Sequence, residues 1–367
     1  MPIPLLLHGK HQRPGAPPVV YEPSGAWIVP WRFGDLDAEY RAMQGGAALI
    51  DDSTQTVIEC RGADRASFLQ RLLTNDIARL TPGTGCRAAL LNEAGKLIAE
   101  LLVLAEADMI RLLCDLTIAP RVMQTLEHHH IAEELTLTDR ERAFAVLAVE
   151  GPGALGVIGR LSGTAIPLPT PLAHAAVSLE GVTVRVIKHS LLNREGVWCL
   201  VEAAASERIW RLLADSGAVP AGWEAFHIAR IEAGVPLFGV DMDGTNLLPE
   251  TGLETVLCHE AKGCYLGQEV IARLATYGSL SKRLMGLLVD AAEIPQAGDR
   301  IGHHGEEEAG WVTSGCRSRA LGQPIAMGYV KRGAYAPGTV VQILRGECWL
   351  PATVTTLASI ARTRAGG

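Results

Sequence analysis

One pattern of apolar and polar positions occurs twice in the chain, the second copy 89 residues after the first. Residues 54–60 alternate as a strand with one buried face does, Gly62 turns the chain, and Phe68, Leu69, Leu72 and Leu73 then share one face of a helix. An apolar strand at 145–149 leads in the same way to Gly151 and to a helix carrying Leu155, Ile158 and Leu161, which correspond to Ala66, Leu69 and Leu72. Each copy continues with further strands and a second helix. In the first these are strands at 87–91, 97–104 and 109–114 and a helix near 120–130; in the second, strands at 182–187 and 198–201 and a helix near 205–214. The pattern predicts an α+β fold with two related, mostly antiparallel modules, each a sheet covered by helices.

The flanks read differently. Residues 1–37 are rich in proline and glycine and predict an extended arm, tacked down by Trp27 and Trp31. A short helix over 38–47 closes at Gly45-Gly46, and another over 224–234 closes at Gly234. Beyond residue 280 helical spacing vanishes. Short strands at 283–289, 310–313, 325–330, 339–344 and 348–354, separated by turn residues, predict a small antiparallel barrel. The expected division is an arm (1–37), two modules (38–140 and 141–280), a barrel (281–358) and a tail (359–367).

Composition narrows the function. A chain of 367 residues exceeds what one core serves. A net charge of −7 without a run of lysine and arginine disfavours nucleic acid and anionic membranes as partners. None of the eight cysteines forms a C-x-x-C pair or has zinc or ferredoxin spacing, so no permanent metal or cluster is expected. Leu5-Leu6-Leu7 is too short for a signal peptide and no apolar run approaches a membrane span, which makes a reduced, cytoplasmic protein the expectation. His128-His129-His130 suggests a metal tract, but consecutive helical residues point about 100° apart, and a polar helix end is the simpler reading.

The densest chemistry lies in Lys262-Gly263-Cys264-Tyr265-Leu266-Gly267-Gln268-Glu269. Val270, Ile271 and Leu274 follow at helical spacing, so the octet is a loop entering a helix N-terminus, where free N–H groups favour an anion. A cysteine at such an end, two residues from a lysine, is a candidate for a lowered thiol pKa. The plain alternative is a tight turn with a half-buried cysteine and a solvated lysine. Tyr265 offers a ring face and a hydroxyl, and Glu269 falls in the first helical turn.

As a string, Lys262-Gly-Cys264-Tyr265 followed by Gly267-Gln268-Glu269 resembles the signature of the YgfZ family, folate-binding proteins that support iron–sulfur enzymes. That family is a branch of the glycine-cleavage T-protein (aminomethyltransferase) superfamily. Phe68-Leu69-Gln70 with Leu73-Thr74-Asn75-Asp76, Leu91 to Lys96 leading to Glu100, Arg230 to Pro236, Gly310 to Ser314 and Ala326 to Val330 also resemble the superfamily, over nearly all of 49–345. The resemblance implies three domains in a ring around a folate site, with tetrahydrofolate or a one-carbon derivative as ligand. It further implies iron–sulfur client enzymes or assembly proteins as partners. The roles it implies are Cys264 and Lys262 as the reactive pair, and Tyr265, Gln268, Glu269, Arg230, Arg273 and Trp198 as candidates for holding the folate.

There are departures from the transferases. Where their strand carries two aspartates this chain has Ala99-Glu100; no matching carboxylate is found near Gly196, where Trp198 either stacks on a pterin or fills core; and no histidine is found near Asp52-Ser53. The departures favour a folate-binding accessory factor for iron–sulfur enzyme assembly or repair. The alternatives are a tetrahydrofolate-dependent aminomethyl or methyl transferase using Glu100, and a non-catalytic protein-binding module.

Overall fold

Strands rich in valine, leucine and isoleucine build two mostly antiparallel sheets, each with one face turned to helices. The structure is a computed structural model that describes all residues except Pro14, His304, Gly305 and 361–367, with backbone alone at 275–277 and 306–307. The chain divides into two compact units, one formed by 1–91, 98–226 and 256–266, the other by 92–97, 227–255 and 267–367.

Both sheets belong to the first unit, apart from Leu97 at the start of one strand. Among the described residues, one runs in the order Gly85–Leu91, Leu97–Ala105, Met109–Asp115, Gln55–Arg61, Thr136–Asp139. The other runs His174–Leu179, Val182–Ile187, Gly196–Glu202, Phe144–Glu150, Ala48–Asp51, Val219–Pro220. The first four strands of each follow the same chain order, so the 89-residue repeat of the sequence is a repeat of structure. Ile58, Leu90, Val103 and Leu112 pack against Phe68 and Leu69 of the helix Arg65–Leu72 and Val122 and Leu126 of Ala119–His129. Leu147, Val149, Val186 and Val197 pack in the same way against Val157, Ile158 and Ile209 of the helices Ala154–Ser162 and Ser206–Asp215. Each such side chain contributes roughly 1.5–3 kcal/mol by leaving water.

Gly62 and Gly151 turn the two copies alike, at φ +116° and +109°. Glycine is required at both, since a Cβ would overlap the carbonyl oxygen of Glu134 at the first and of Gly46 at the second.

Two features depart from expectation. The proline-rich arm is not merely extended: Ile3–Pro4, Trp27–Arg32 and Val20–Ser24 form a three-stranded sheet with Trp27 and Val29 buried. Pro23 and Pro30 argue against strands on sequence grounds, yet here a register shift between Val20 and Tyr21 accommodates the pairing. Ala48–Asp51, within the stretch expected to be the first module, is a strand of the second sheet. All four of its residues are buried, which removes the alternation that reveals a strand.

In the second unit six strands close into the expected barrel: Lys282–Val289, Pro324–Lys331, Glu306–Arg317, Arg300–His303, Val340–Arg345 and Cys348–Thr355. Closure leaves no sheet edge to cover. Arg300–His303 carries no apolar pattern to mark it as a strand, because Ile301 is its only large apolar residue. The expected tail lies, from residue 361, outside the described residues.

Gly62→Ala and Gly151→Ala should each destabilise the protein by roughly 2–4 kcal/mol, because backbone must move as well as strain. Gly163 also has positive φ but open space around it, so Gly163→Ala should cost only about 1 kcal/mol. Thermal unfolding of the three variants checks this; equal shifts would contradict it.

Candidate functional site

A cavity of about 500 Å³ opens within the first unit, with walls from both modules. The start of the strand Gly85–Leu91 supplies Cys86 and Arg87, the turn at Gly151 and the helix after it supply Pro152 and Leu155, and the segment 188–196 supplies most of the polar wall. Leu155 and Val256, 42% and 43% exposed, give the mouth an apolar lip. Arg87 is committed: its Nε and Nη2 donate to Oε1 of Glu100 at 2.9 and 2.5 Å. Arg194 donates to Oε1 of Gln44. The side chains of Lys188, His189, Asn193 and Glu195 make no hydrogen bond among the described residues, so all four are available to a ligand. Burial, assisted by Arg87, pushes the His189 imidazole down to about 3 and keeps it neutral. Burial pushes the Cys86 thiol up to about 12, against the opposing pull of Lys262.

The signature octet straddles the boundary between the two units, and its first residues sit in the first. Lys262 is 7% exposed, and its ammonium donates to the carbonyl oxygens of Gln70 (2.6 Å), Leu73 and Asn75 (3.0 Å). These carbonyls belong to the last turn of the helix Arg65–Leu72 and the residues just after it, where a cation suits the helix dipole. The solvated lysine is therefore ruled out. With its three donors used, Lys262 is not free to pair with a thiol or an anionic ligand in this geometry. Burial pushes it down to about 8, with Asp76 pulling the other way. Thr74 strengthens the same junction: its hydroxyl donates to the Leu257 carbonyl at 2.5 Å, and its own carbonyl accepts from the His259 N–H at 3.1 Å.

Cys264 is exposed, whereas Cys60, Cys114, Cys199 and Cys316 are buried in core. Gly267, three residues on, opens the helix Gln268–Tyr277 at φ +77°. Tyr265 lies with its ring 5.3 Å from the Lys262 ammonium and its hydroxyl 4.0 Å from Cys258 Sγ; burial pushes its phenol up. On that helix Gln268 is partly buried, and Glu269 and Arg273 are exposed.

The remaining predicted residues are in different surroundings. Arg230, in the second unit, is 1% exposed and donates to His227 Nδ1 (2.8 Å), Asp241 (2.7 Å), Ser314 (2.8 Å) and the Val235 carbonyl (3.3 Å). This buried network, not a ligand, uses its guanidinium. Trp198 is 2% exposed, so it fills core, and its ring lies 4.5 Å from that of His189 on the cavity wall. Glu100 is held by Arg87 as described. None of the nine predicted site residues is among those lining the cavity.

At two of the departures from the transferases the structure brings in other groups. Beside Gly196 stand Glu195 on the cavity wall and Glu150 buried behind it. At the 51–53 turn, His11 Nε2 lies 3.0 Å from Asp51 Oδ2, brought there by the N-terminal segment. His129 and His130 bond to the backbone carbonyls of Thr125 and Glu133, as a polar helix end does.

A sheet-and-helix unit repeated once, joined by a closed barrel, is the architecture that the comparisons with known proteins also give. Residues 7–260 match the family described as the GCVT N-terminal domain, and 282–358 match the glycine cleavage T-protein C-terminal barrel domain. The chain belongs to the glycine cleavage T-protein family. An aminomethyltransferase of Synechococcus sp. (strain CC9311) is 30% identical over 339 residues, 89% of this chain and 91% of the relative. One from Streptomyces avermitilis is 29% identical over 321 residues, covering 85% and 86%. The crystal structure of the glycine cleavage system aminomethyltransferase T from Bartonella henselae superposes with a TM-score of 0.87 over 98% of each chain at 21% identity, a likeness of fold. No helix among the described residues is long and apolar enough to cross a membrane.

Lys262→Met keeps the unbranched apolar stem but removes the ammonium and strands three carbonyl acceptors. It should destabilise the protein by roughly 2–4 kcal/mol, the scale for orphaned buried acceptors with a lost charge-assisted bond. Denaturant unfolding measures it; a change below about 0.5 kcal/mol, typical of surface substitutions, would contradict the capping role.

Proposed function

We propose that this chain is a tetrahydrofolate-binding member of the T-protein family, of the YgfZ branch, that serves iron–sulfur enzymes or their assembly proteins and does not catalyse glycine cleavage. The observation that carries this reading is the ion pair of Glu100 with Arg87. The carboxylate at the transferase position is neutralised by a guanidinium and is absent from the cavity lining, so it is poorly placed to move a proton on a bound ligand. Glutamate also reaches a methylene further than the aspartates of the transferases, and misplacement by about 1 Å costs roughly a hundredfold in rate.

Tetrahydrofolate, or a one-carbon derivative of it, fits the cavity in size and chemistry. Its volume of about 500 Å³ falls within the roughly 300–1,000 Å³ of ligand pockets. The apolar lip of Leu155 and Val256 suits a flat heterocycle, His189, Asn193 and Glu195 offer donors and acceptors for its edge, and Lys188 and Arg194 suit the carboxylates of a glutamate tail. Cys264, exposed on a loop held by Lys262, is the sulfur a client or assembly protein can reach. The second reading, aminomethyl or methyl transfer through Glu100, is favoured by the 30% identity to an aminomethyltransferase along most of both chains.

Titration of the purified protein with tetrahydrofolate, followed by tryptophan fluorescence, should saturate at one site. Tetrahydrofolate-dependent one-carbon transfer from an aminomethyl donor should be absent, and cells carrying Cys264→Ala should lose iron–sulfur enzyme activity. Robust turnover abolished by Glu100→Gln would establish the transferase reading instead.

A further inference from the structure

Glu150, the last residue of the strand Phe144–Glu150, is 0% exposed and has no ion-pair partner among the described residues. Both of its carboxylate oxygens nevertheless accept a hydrogen bond. Oε2 accepts from the Ser190 hydroxyl at 2.6 Å and Oε1 from the Leu191 N–H at 2.8 Å. The Ser190 oxygen in turn accepts from the N–H groups of Leu192 (3.0 Å) and Arg194 (3.3 Å). Next along the chain, the Gly151 N–H donates to the Glu195 carbonyl at 2.8 Å. Residues 190–195 thus form an arch tied down from behind, while His189, Asn193 and Glu195 line the cavity in front. Gly196, paired with Glu150 across the sheet, leaves the space: a Cβ there would stand 2.9 Å from Oε2.

The module fold does not itself demand this carboxylate. At the equivalent position of the first module, 89 residues earlier, stands Arg61, which pairs with Asp108 at the surface. Burial without a cation is costly, and it pushes the Glu150 carboxyl up to about 7. A group kept at such cost, with every bond directed to one segment, is explained by what that segment does.

We propose that Glu150 is a positioning residue whose carboxylate fixes the arch 190–195, so that His189, Asn193 and Glu195 meet the cavity's ligand in place. The inference rests on the cavity being the tetrahydrofolate site. Glu150→Gln keeps the shape and removes one acceptor; Ser190→Ala removes the same bond from the other side with less disturbance to the strand. In both variants, without ligand, the amides of Leu191, Leu192 and Arg194 should exchange with solvent about tenfold faster, the scale of one lost bond to a charged group, while those of the strand Gln55–Arg61 stay unchanged. The near-ultraviolet circular dichroism of Trp198, against which His189 packs, should weaken. The Kd for tetrahydrofolate should rise about tenfold.

Unchanged exchange in the arch, or faster exchange with an unchanged Kd, overturns the proposal. If the wild-type protein does not bind tetrahydrofolate, it is the folate reading that fails. The arch is then decided by exchange alone, where no change overturns it.

Discussion

The contact on which the arrangement depends is a lysine capping a helix. The Lys262 ammonium sits on carbonyls at the C-terminal end of Arg65–Leu72 and thereby fixes the loop that carries Cys264 to the first module. Charge-assisted bonds of this kind contribute roughly 1.5–3 kcal/mol each, set against the desolvation of a buried cation. Burial brings the lysine down to about 8, so at neutral pH the charged form that makes these bonds still prevails. The cap explains why a lysine and an exposed cysteine occur together in one short motif: the first anchors the backbone and the second is left accessible.

The cavity is where the two copies of the repeat part company. Cys86 and Arg87 come from the first sheet, and 188–196 from the approach to a strand of the second. The Lys262 charge opposes the rise of the Cys86 thiol on the cavity wall, although no residue of the motif lines the cavity. Divergence at matched positions, Arg61 at the surface and Glu150 buried, turns a duplicated scaffold into a one-sided site.

Periodicity carried the architecture because burial of one face per element is what the repeat and the barrel consist of. The matching positive φ at Gly62 and Gly151 was foreshadowed by two glycines at equal offsets. Sequence spacing could not say what Lys262 touches, because its partners are carbonyls some 190 residues away, which carry no side-chain signal. The polar wall was missed for a related reason: Lys188, Asn193 and Glu195 lie in a stretch without periodicity, where only fold decides which side chains converge. Glu150 closes an apolar run just before a Gly-Pro-Gly turn, but Arg61 ends the matching strand of the first module before Gly62 and stays at the surface, so sequence position alone does not reveal the buried carboxylate. His11 and the strands of the N-terminal segment stayed hidden behind prolines that usually exclude a sheet.

A crystal structure of the complex with tetrahydrofolate tests the account most directly. It should place the pterin in the first-unit cavity against His189 and Glu195, with Lys262 still bound to the carbonyls of Gln70, Leu73 and Asn75. A ligand bound elsewhere, or a Lys262 ammonium that has left those carbonyls to contact it, would contradict the account.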